Sequence, residues 1–430
     1  MAEPATASRQ GNRLTTAIVV ALVLGIAAGW VSHEYFPQSS THFADSISLL
    51  PTAFLRLVRM IIAPLVFATL VVGIARMGDI RTVGRIGTKA LGWFLFASLV
   101  SLTLGLVLVD LLEPGKAMQL PIPPGDASTG LKAGALSLEE FISHTIPTSI
   151  VDAMSRNEIL QIVVFSVFFG VAMAGLGERA RAVLDALEGV SLIMLRVTGY
   201  VMLFAPLAVF GALASTVAKE GVGVLRVYGL FVGEFYLGIL ILWVVLAALG
   251  SLVLGRRVLD LMRRVRGPVL LAFSTATSEA AYPKTLEVLE QFGVSNRVAS
   301  FVLPVGYSFN LDGSMMYCTF AVMFIAQVYG IEIPLPQQIV MVAILMLTSK
   351  GMAGVPRASL VVIAATLAQF DIPVAGLVLL LGVDHFLDMG RSATNVIGNS
   401  VATAVVARWE GQLAPSHNPT STSTQGIQER

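Results

Sequence analysis

The sequence has little charge and almost no cysteine. Of its 430 residues, 13% are Asp, Glu, Lys or Arg, about half of the roughly 25% usual in soluble domains. That is too few to build a water-facing skin, which excludes a soluble enzyme or a secreted domain of this size. The 28 basic and 27 acidic residues leave a net charge of +1, so there is no electrostatic footprint for DNA or RNA. One cysteine, Cys318, excludes a disulfide framework and a multi-cysteine metal centre. The alternating strands of an outer-membrane barrel are also missing. What is present is apolar: 55% of residues are hydrophobic and the mean hydropathy is +0.80. The composition is that of an all-α polytopic membrane protein.

Residues 1–12 are polar and are expected to be disordered. The first apolar run, 14–30, follows Arg13. Its length and the lack of a small-residue cleavage site favour a membrane helix over a signal peptide. Further spans are expected at 48–75, 86–112, 158–176, 182–218 and 226–255, each near or above the roughly 20 residues a bilayer requires. The run 182–218 is too long for one upright helix and is expected to tilt or extend into water. Segment 138–157 is amphipathic and broken by Pro147, which suits an interfacial prelude to the next span. Pro121, Pro123 and Pro124 with several glycines mark 114–134 as an external loop. The Ser/Thr/Gln-rich tail 411–430 reads as disordered. Arg76, Arg81, Arg85 and Lys89 cluster in one loop, and five arginines fall within 256–266, whereas 33–48 has no Lys or Arg. This bias predicts that both termini lie inside the cell.

After residue 267 the apolar runs are interrupted in a repeated way. Residues 268–292 and 340–372 each have an apolar entry too short to span, a small polar tip, a Pro with a basic residue after it (Pro283-Lys284, Pro356-Arg357) and an apolar return. Both read as re-entrant helical hairpins, because polar non-helical backbone at membrane depth survives only inside protein or beside a cavity. Paired interruptions of this kind point to a transporter site built from inverted repeats. Each predicted hairpin precedes a helix with buried polar groups. In 302–330 the run Asn310-Leu311-Asp312-Gly313 breaks helical hydrogen bonding and offers oxygens for a small cation; Asp312 capping the second half is a compatible reading. In the helix expected at 374–408, Asp384, Asp388, Arg391, Ser392, Asn395 and Asn399 fall on one stripe. Arg391 stays charged and matches a carboxylate bidentately. Asp388, within one turn, suits an ammonium, unless the two merely neutralise each other.

These motifs resemble those of the dicarboxylate/amino acid:cation symporter family, the glutamate transporters. The resemblance rests on Ser274-Thr275-Ala276-Thr277-Ser278, Asn310-Leu311-Asp312-Gly313-Ser314, Ser349 to Pro356, and Asp388 to Asn399, in family order and spacing. It implies eight membrane helices plus two re-entrant hairpins in inverted repeats, and an elevator-type homotrimer. By that likeness, helices within 13–85 and 138–220 form the scaffold, with 138–220 at the trimer contact. Residues 86–113 and 221–410 form the moving transport domain, and 114–137 is the external loop. It also implies a substrate pocket of Thr277, Ser278, Ser314, Val355, Asp388, Arg391, Ser392 and Asn395. Coupling cations would be held by Ser98, Gly306, Ser308, Asn310, Asp312, Ser349, Asn395 and Asn399. No cofactor or tightly bound metal is implied, and the expected location is the bacterial inner membrane.

Departures from the family pattern bear on the ion. Sodium-coupled members usually have an aspartate where this chain has Asn399, a tyrosine and a threonine where it has Phe94 and Ala97, a methionine at Leu311, and in many a threonine at Met352. Each change removes a charge, an oxygen or a sulfur from a cation site, and a neutral amide attracts a cation less than a carboxylate does. The pattern is closer to the bacterial proton-coupled branch, with H⁺ and/or Na⁺ as coupling ions. Asp312, Asp388 and Glu279 are candidate proton carriers. The extra arginine of the family is missing at Ala276 and Met389, and Arg357 is a candidate substitute.

The favoured function is symport of glutamate or aspartate, since dicarboxylate-selective relatives tend to lack the acid at Asp388. The alternative is a C4-dicarboxylate:cation symporter of the same fold. An intramembrane aspartyl protease pairing Asp312 with Asp384 or Asp388 is a remote alternative, disfavoured by the counter-ion Arg391. An anion channel lacks a continuous basic lining. His385 and Cys318 read as packing residues, and Trp30, Trp93 and Trp409 as interface anchors. Arg357→Ala is expected to weaken affinity for an acidic substrate; an unchanged apparent KM in uptake assays would remove Arg357 from the site.

Overall fold

The computed structural model describes residues 4–77, 80–117, 145–221, 228–349, 358–381 and 383–415. Among them there is no strand, only an isolated bridge between Val294 and Leu413. The chain opens with α1 (Pro4–Tyr35), α2 (Pro37–Ile47), α3 (Leu49–Met77) and α4 (Ile80–Leu112). A short helix, Ile150–Arg156, is capped by the Ser149 hydroxyl and ends at left-handed Asn157. Then come α5 (Ile159–Leu176), α6 (Arg181–Met202), α7 (Ala205–Glu220) and α8 (Gly229–Leu254). Six helical stretches among the described residues are long and apolar enough to cross a membrane. This is a multi-pass membrane protein.

Five expectations shift. Arg81, Arg85 and Lys89, expected with Arg76 in one loop, lie in the first three turns of α4, and Arg76 lies at the end of α3. Helix α1 starts at Pro4, inside the stretch 1–12 expected to be disordered. The run 182–218 is two helices, α6 and α7. Pro206 sits in the first turn of α7, where its missing N–H costs nothing and its ring stops the preceding helix from continuing. The arginine-rich 256–266 is not a loop: it forms the first half of α9 (Arg257–Thr275), where Arg264 pairs with Asp260 one turn back at 2.8 Å. The last helix, expected from 374, is α15 (Asp384–Trp409), preceded by a 3-10 turn at Val374–Leu377 and a single turn at Val378–Leu381.

The first interrupted segment folds as helix, turn, helix, and both arms of the second are helical. After α9, Ala276 takes the left-handed conformation at φ 50°, which costs a residue with a Cβ about 1–2 kcal/mol. A 3-10 turn at Glu279–Ala281 then leads into α10 (Tyr282–Phe292), with Pro283 in its first turn. The second such segment has α13 (Leu335–Thr348) and α14 (Ala358–Gln369) as its arms. Its tip, with Val355, Arg357 and Met352, lies outside the described residues. Between the two segments, α11 (Asn296–Phe309) and α12 (Asp312–Val328) are separated at Asn310-Leu311, where the sequence predicts the break.

Two helices form the centre. Every residue of α12 from Asp312 to Ala326 is buried, as is every residue of α15 from Met389 to Ala407. Helices α8, α9, α11 and α12 all pack on α15, and α4 packs along α12. Away from this centre, α1 lies along α7. A Cβ on Gly25 or Gly29 would come within 2.7 Å of the α7 carbonyls of Phe210 or Ala214. This four-residue glycine spacing lets two backbones approach where no hydrophobic drive exists between helices in lipid.

The end of α15 is tied back to α4. The Glu410 carboxylate accepts from Arg85 at 2.8 Å and Lys89 at 2.6 Å, and Trp409 meets Trp93 edge-on at 5.8 Å. The residues after it, expected to be disordered from 411, are pinned as far as they are described. Ser295 N donates to Gln412 O, Ala414 N donates to Gly293 O, and Arg257 reaches the Ala414 carbonyl at 2.8 Å. The Arg85 and Lys89 hydrogen bonds hold the Glu410 carboxyl below the usual carboxylate range. A depressed folded-state pKa adds stability above the unfolded value and loses it as pH falls through the folded one. Glu410→Gln is therefore expected to destabilise by about 0.5–1 kcal/mol at neutral pH, the range for partly solvated pairs. The deficit should vanish in acid below the carboxylate range, as read by thermal unfolding at both pH values.

Candidate functional site

The polar stripe of α15 is buried as a unit. Asp384, Arg391, Ser392, Asn395 and Asn399 are at most 4% exposed. A charge placed so must be compensated, because taking an ion out of water costs several kcal/mol. Arg391 has three partners. It donates to Asp384 Oδ1 at 3.2 Å, pairs with Asp388 Oδ1 at 2.9 Å, and lies 4.1 Å from the centre of the Tyr317 ring. The Tyr317 hydroxyl donates in turn to Asp384 Oδ1 at 3.3 Å. A desolvated cation over an aromatic face gains about 2 kcal/mol. The two carboxylates differ in access: the Asp384 side chain is 3% exposed and that of Asp388 is 30%. Among the described residues the Arg391 Nε and Nη1 donors make no hydrogen bond. Each is a buried, charged donor suited to a carboxylate oxygen.

One to two turns further along α15, the side chains meet the break between α11 and α12. Gly313 N donates to Asn395 Oδ1 at 2.9 Å, and Asn395 Nδ2 lies 3.4 Å from Ser314 Oγ. Asn310 Nδ2 is 3.0 Å from Asp312 Oδ2 and 3.3 Å from Asn399 Oδ1. Ser101 of α4 places its hydroxyl 3.2 Å from Asp312 Oδ1 and 2.9 Å from Ala97 O. Asn310 Oδ1 and Asn399 Nδ2 are buried without a hydrogen bond. The result is a buried cluster with one carboxylate, two amides and the Ser101 hydroxyl, the donor set of a small hard cation. Two glycines make room for it. A Cβ on Gly398 would collide with Asp312 Oδ2, and one on Gly306 would collide with Asn399 Oδ1.

Most sequence-predicted residues converge here: Asp388 on the Arg391 guanidinium, Ser314 and Asn395 at the α11–α12 break, and Gly306, Asn310, Asp312 and Asn399 around the carboxylate, with Ser392 buried on α15 between them. Ser98 is buried on α4 beside this group, three residues from Ser101. Ser308 is buried on α11. Phe94 abuts Gly306, within 3.4 Å of where a Cβ would stand. Thr277 and Ser278 occupy the turn after α9, where Thr277 N donates to Ala272 O and Ser278 O accepts from Ala281 N. Their side chains take no part in the hydrogen bonds described around Arg391. Ser349 is buried at the end of α13 and donates to Met346 O at 3.4 Å. Val355 and Arg357 lie outside the described residues. His385 meets Phe386 edge-on at 6.4 Å, and Cys318 is fully buried.

Three contributors escape the sequence reading. Tyr317 and Ser101 each carry a signal, lying one turn past Ser314 and one turn past Ser98. Trp243 of α8, whose indole donates to Thr394 Oγ1 at 2.8 Å, carries none, since an aromatic in an apolar span reads as core.

A multi-pass helical protein with a buried, compensated guanidinium beside an oxygen cluster is built as a membrane transporter. Residues 14–409 match the model of the sodium:dicarboxylate symporter family, and the chain belongs to that family. It is 40% identical to the C4-dicarboxylate transport protein of Laribacter hongkongensis (strain HLHK9), covering 94% of this chain and 92% of that one. The C4-dicarboxylate transport protein of Anaeromyxobacter sp. (strain K) is also 40% identical, with the same coverage. That of Xanthomonas campestris pv. campestris (strain B100) is 42% identical, covering 92% and 88%.

Gly398→Ala is expected to displace the Asp312 carboxylate, at an overpacking cost of about 1–3 kcal/mol. Uptake should fall sharply while the membrane level of the protein stays within about twofold of the parent, a loss of function without a comparable loss of folding. Normal uptake would mean that Asp312 need not occupy this position.

Proposed function

We propose that this protein is a secondary active symporter that takes up a C4 dicarboxylate together with cations. The observation that carries it is Arg391, buried, permanently charged and holding two unused donors. The names of the similar proteins support the dicarboxylate reading over the acidic amino acid favoured by the sequence pattern. That earlier preference rests on Asp388 as an ammonium site. Here Asp388 is paired with Arg391, so its charge is already engaged. Aspartate or glutamate is kept as the second reading, because the Asp388 side chain is the one acid of the pair that reaches solvent.

The finer picture follows from the same residues. The cation is held by Asn310, Asp312 and Asn399, with Ser101 and the Gly306 carbonyl near them. With Asn399 neutral and Phe94 where an oxygen donor would help, this cluster favours protons over sodium as the driving ion. The segments 257–292 and 335–369 act as re-entrant hairpins, and the second is the gate. They move with α4, α8, α11, α12 and α15 as an elevator inside a homotrimer of the inner membrane. Both termini are cytoplasmic.

Proteoliposomes with Na⁺ and proton gradients imposed separately test this. Labelled succinate should accumulate on a proton gradient in Na⁺-free buffer, and excess aspartate should compete weakly. Uptake of labelled aspartate that succinate fails to inhibit would overturn the dicarboxylate reading; strict Na⁺ dependence would overturn proton coupling.

A further inference from the structure

Arg391 has spare donors but its charge is more than matched. With both carboxylates ionised, two negative charges share one guanidinium before any substrate arrives. A dicarboxylate brings two more negative charges to the same place. In a buried, weakly screened site that repulsion is severe, and one of the resident acids must yield.

The geometry says which. Asp384 is 3% exposed and is held by both Arg391 and the Tyr317 hydroxyl. Asp388 is paired with Arg391 at 2.9 Å, and its side chain is 30% exposed, so it alone has a route to solvent. It sits one turn before Arg391 on the same helix. The other charged and titratable groups around the pair are few. Tyr236 of α8 lies in the field of both Asp388 and Arg391, its hydroxyl bonded to the Phe386 carbonyl at 2.6 Å. Tyr317 and Cys318 of α12 lie beside the guanidinium. The hairpin-turn half of α9, residues 267–275, has no charged residue. Glu279, just after it, lies in the fields of Arg59 and Glu158 instead.

We propose that Asp388 is a built-in competitor for the substrate: its carboxylate occupies Arg391 until it takes up a proton, and a substrate carboxylate then replaces it. The step balances simply. One proton forms an O–H bond on Asp388, the Asp388–Arg391 ion pair opens, and the substrate carboxylate closes a new pair on the same fork. When substrate leaves on the other side, Asp388 loses the proton and returns to Arg391. One proton thus crosses with each substrate through this residue, and Asp384 with Tyr317 keeps the guanidinium in position throughout. The inference rests on the dicarboxylate reading and gives a residue to its proton coupling.

The test is succinate binding to the purified full chain from pH 6 to 8, for the parent, Asp388→Asn and Asp388→Ser. Succinate's own protonation is common to all three, so the difference between parent and variant isolates Asp388. The parent should lose affinity as pH rises, by up to about tenfold per unit beyond the common slope, the limit for one linked proton. Both variants should bind succinate more tightly than the parent at pH 8 and show only the common slope. Asp384→Asn, by contrast, should bind more weakly at every pH. If either folded Asp388 variant keeps the parent's slope, or binds succinate more weakly at pH 8, Asp388 is not the competitor. If the parent binds aspartate and not succinate, the dicarboxylate reading fails and takes this inference with it.

Discussion

A guanidinium that cannot give up its proton sits at the centre of a protein made for hydrocarbon, and the surrounding structure is arranged to keep it there. Arg391 is 1% exposed and is balanced by Asp384, Asp388 and the face of Tyr317. Burying an unpaired charge costs more than most single contacts return. The helices that bring these partners are therefore fixed relative to one another: α15 supplies both acids, α12 the ring, and α8 braces the same stretch through Trp243 and Tyr236. The burial of Asp312–Ala326 of α12 and Met389–Ala407 of α15 follows from this, since polar groups at membrane depth must face protein or a cavity.

The second polar cluster obeys the same constraint with less charge. Asp312 stands at the start of α12, where the backbone N–H groups of a first turn favour an anion, and Asn310 and Ser101 supply further donors. The break at Asn310-Leu311 exposes backbone that would be forbidden against lipid. Here it is enclosed by α4 and α15, and Gly306 and Gly398 leave room for the side chains that meet there. The two clusters share α12 and α15, so the same helices position the groups around Arg391 and those around Asp312.

Much of this was legible along the chain. Spacing of three and four residues placed Asp384, Asp388, Arg391, Asn395 and Asn399 on one face because an α-helix has a fixed period. The Asn-x-Asp-Gly run predicted the unwound point to within a residue, since those side chains compete with helical hydrogen bonds. The spans at 48–75, 158–176 and 226–255 follow from the length a bilayer demands. Other features were not legible. The split of 182–218 at Pro206 was hidden because the apolar run continues on both sides of that proline, and the arginines of 256–266 looked like a loop because charge alone does not reveal a helix stabilised by Asp260–Arg264.

The sequence by itself determined that this is a multi-pass helical membrane protein of the sodium:dicarboxylate symporter family, and which polar residues lie on which helical face. The class follows from composition, the family from its motifs and the faces from local periodicity, none of which needs knowledge of neighbours. Only the tertiary structure decided which remote groups meet. It brought Tyr317 over the guanidinium, joined Ser101 to Asp312 across 211 positions, and turned the residues after α15 back onto the Gly293–Ser295 link. Pairing depends on distances between segments remote in sequence, and only the packed chain sets those distances.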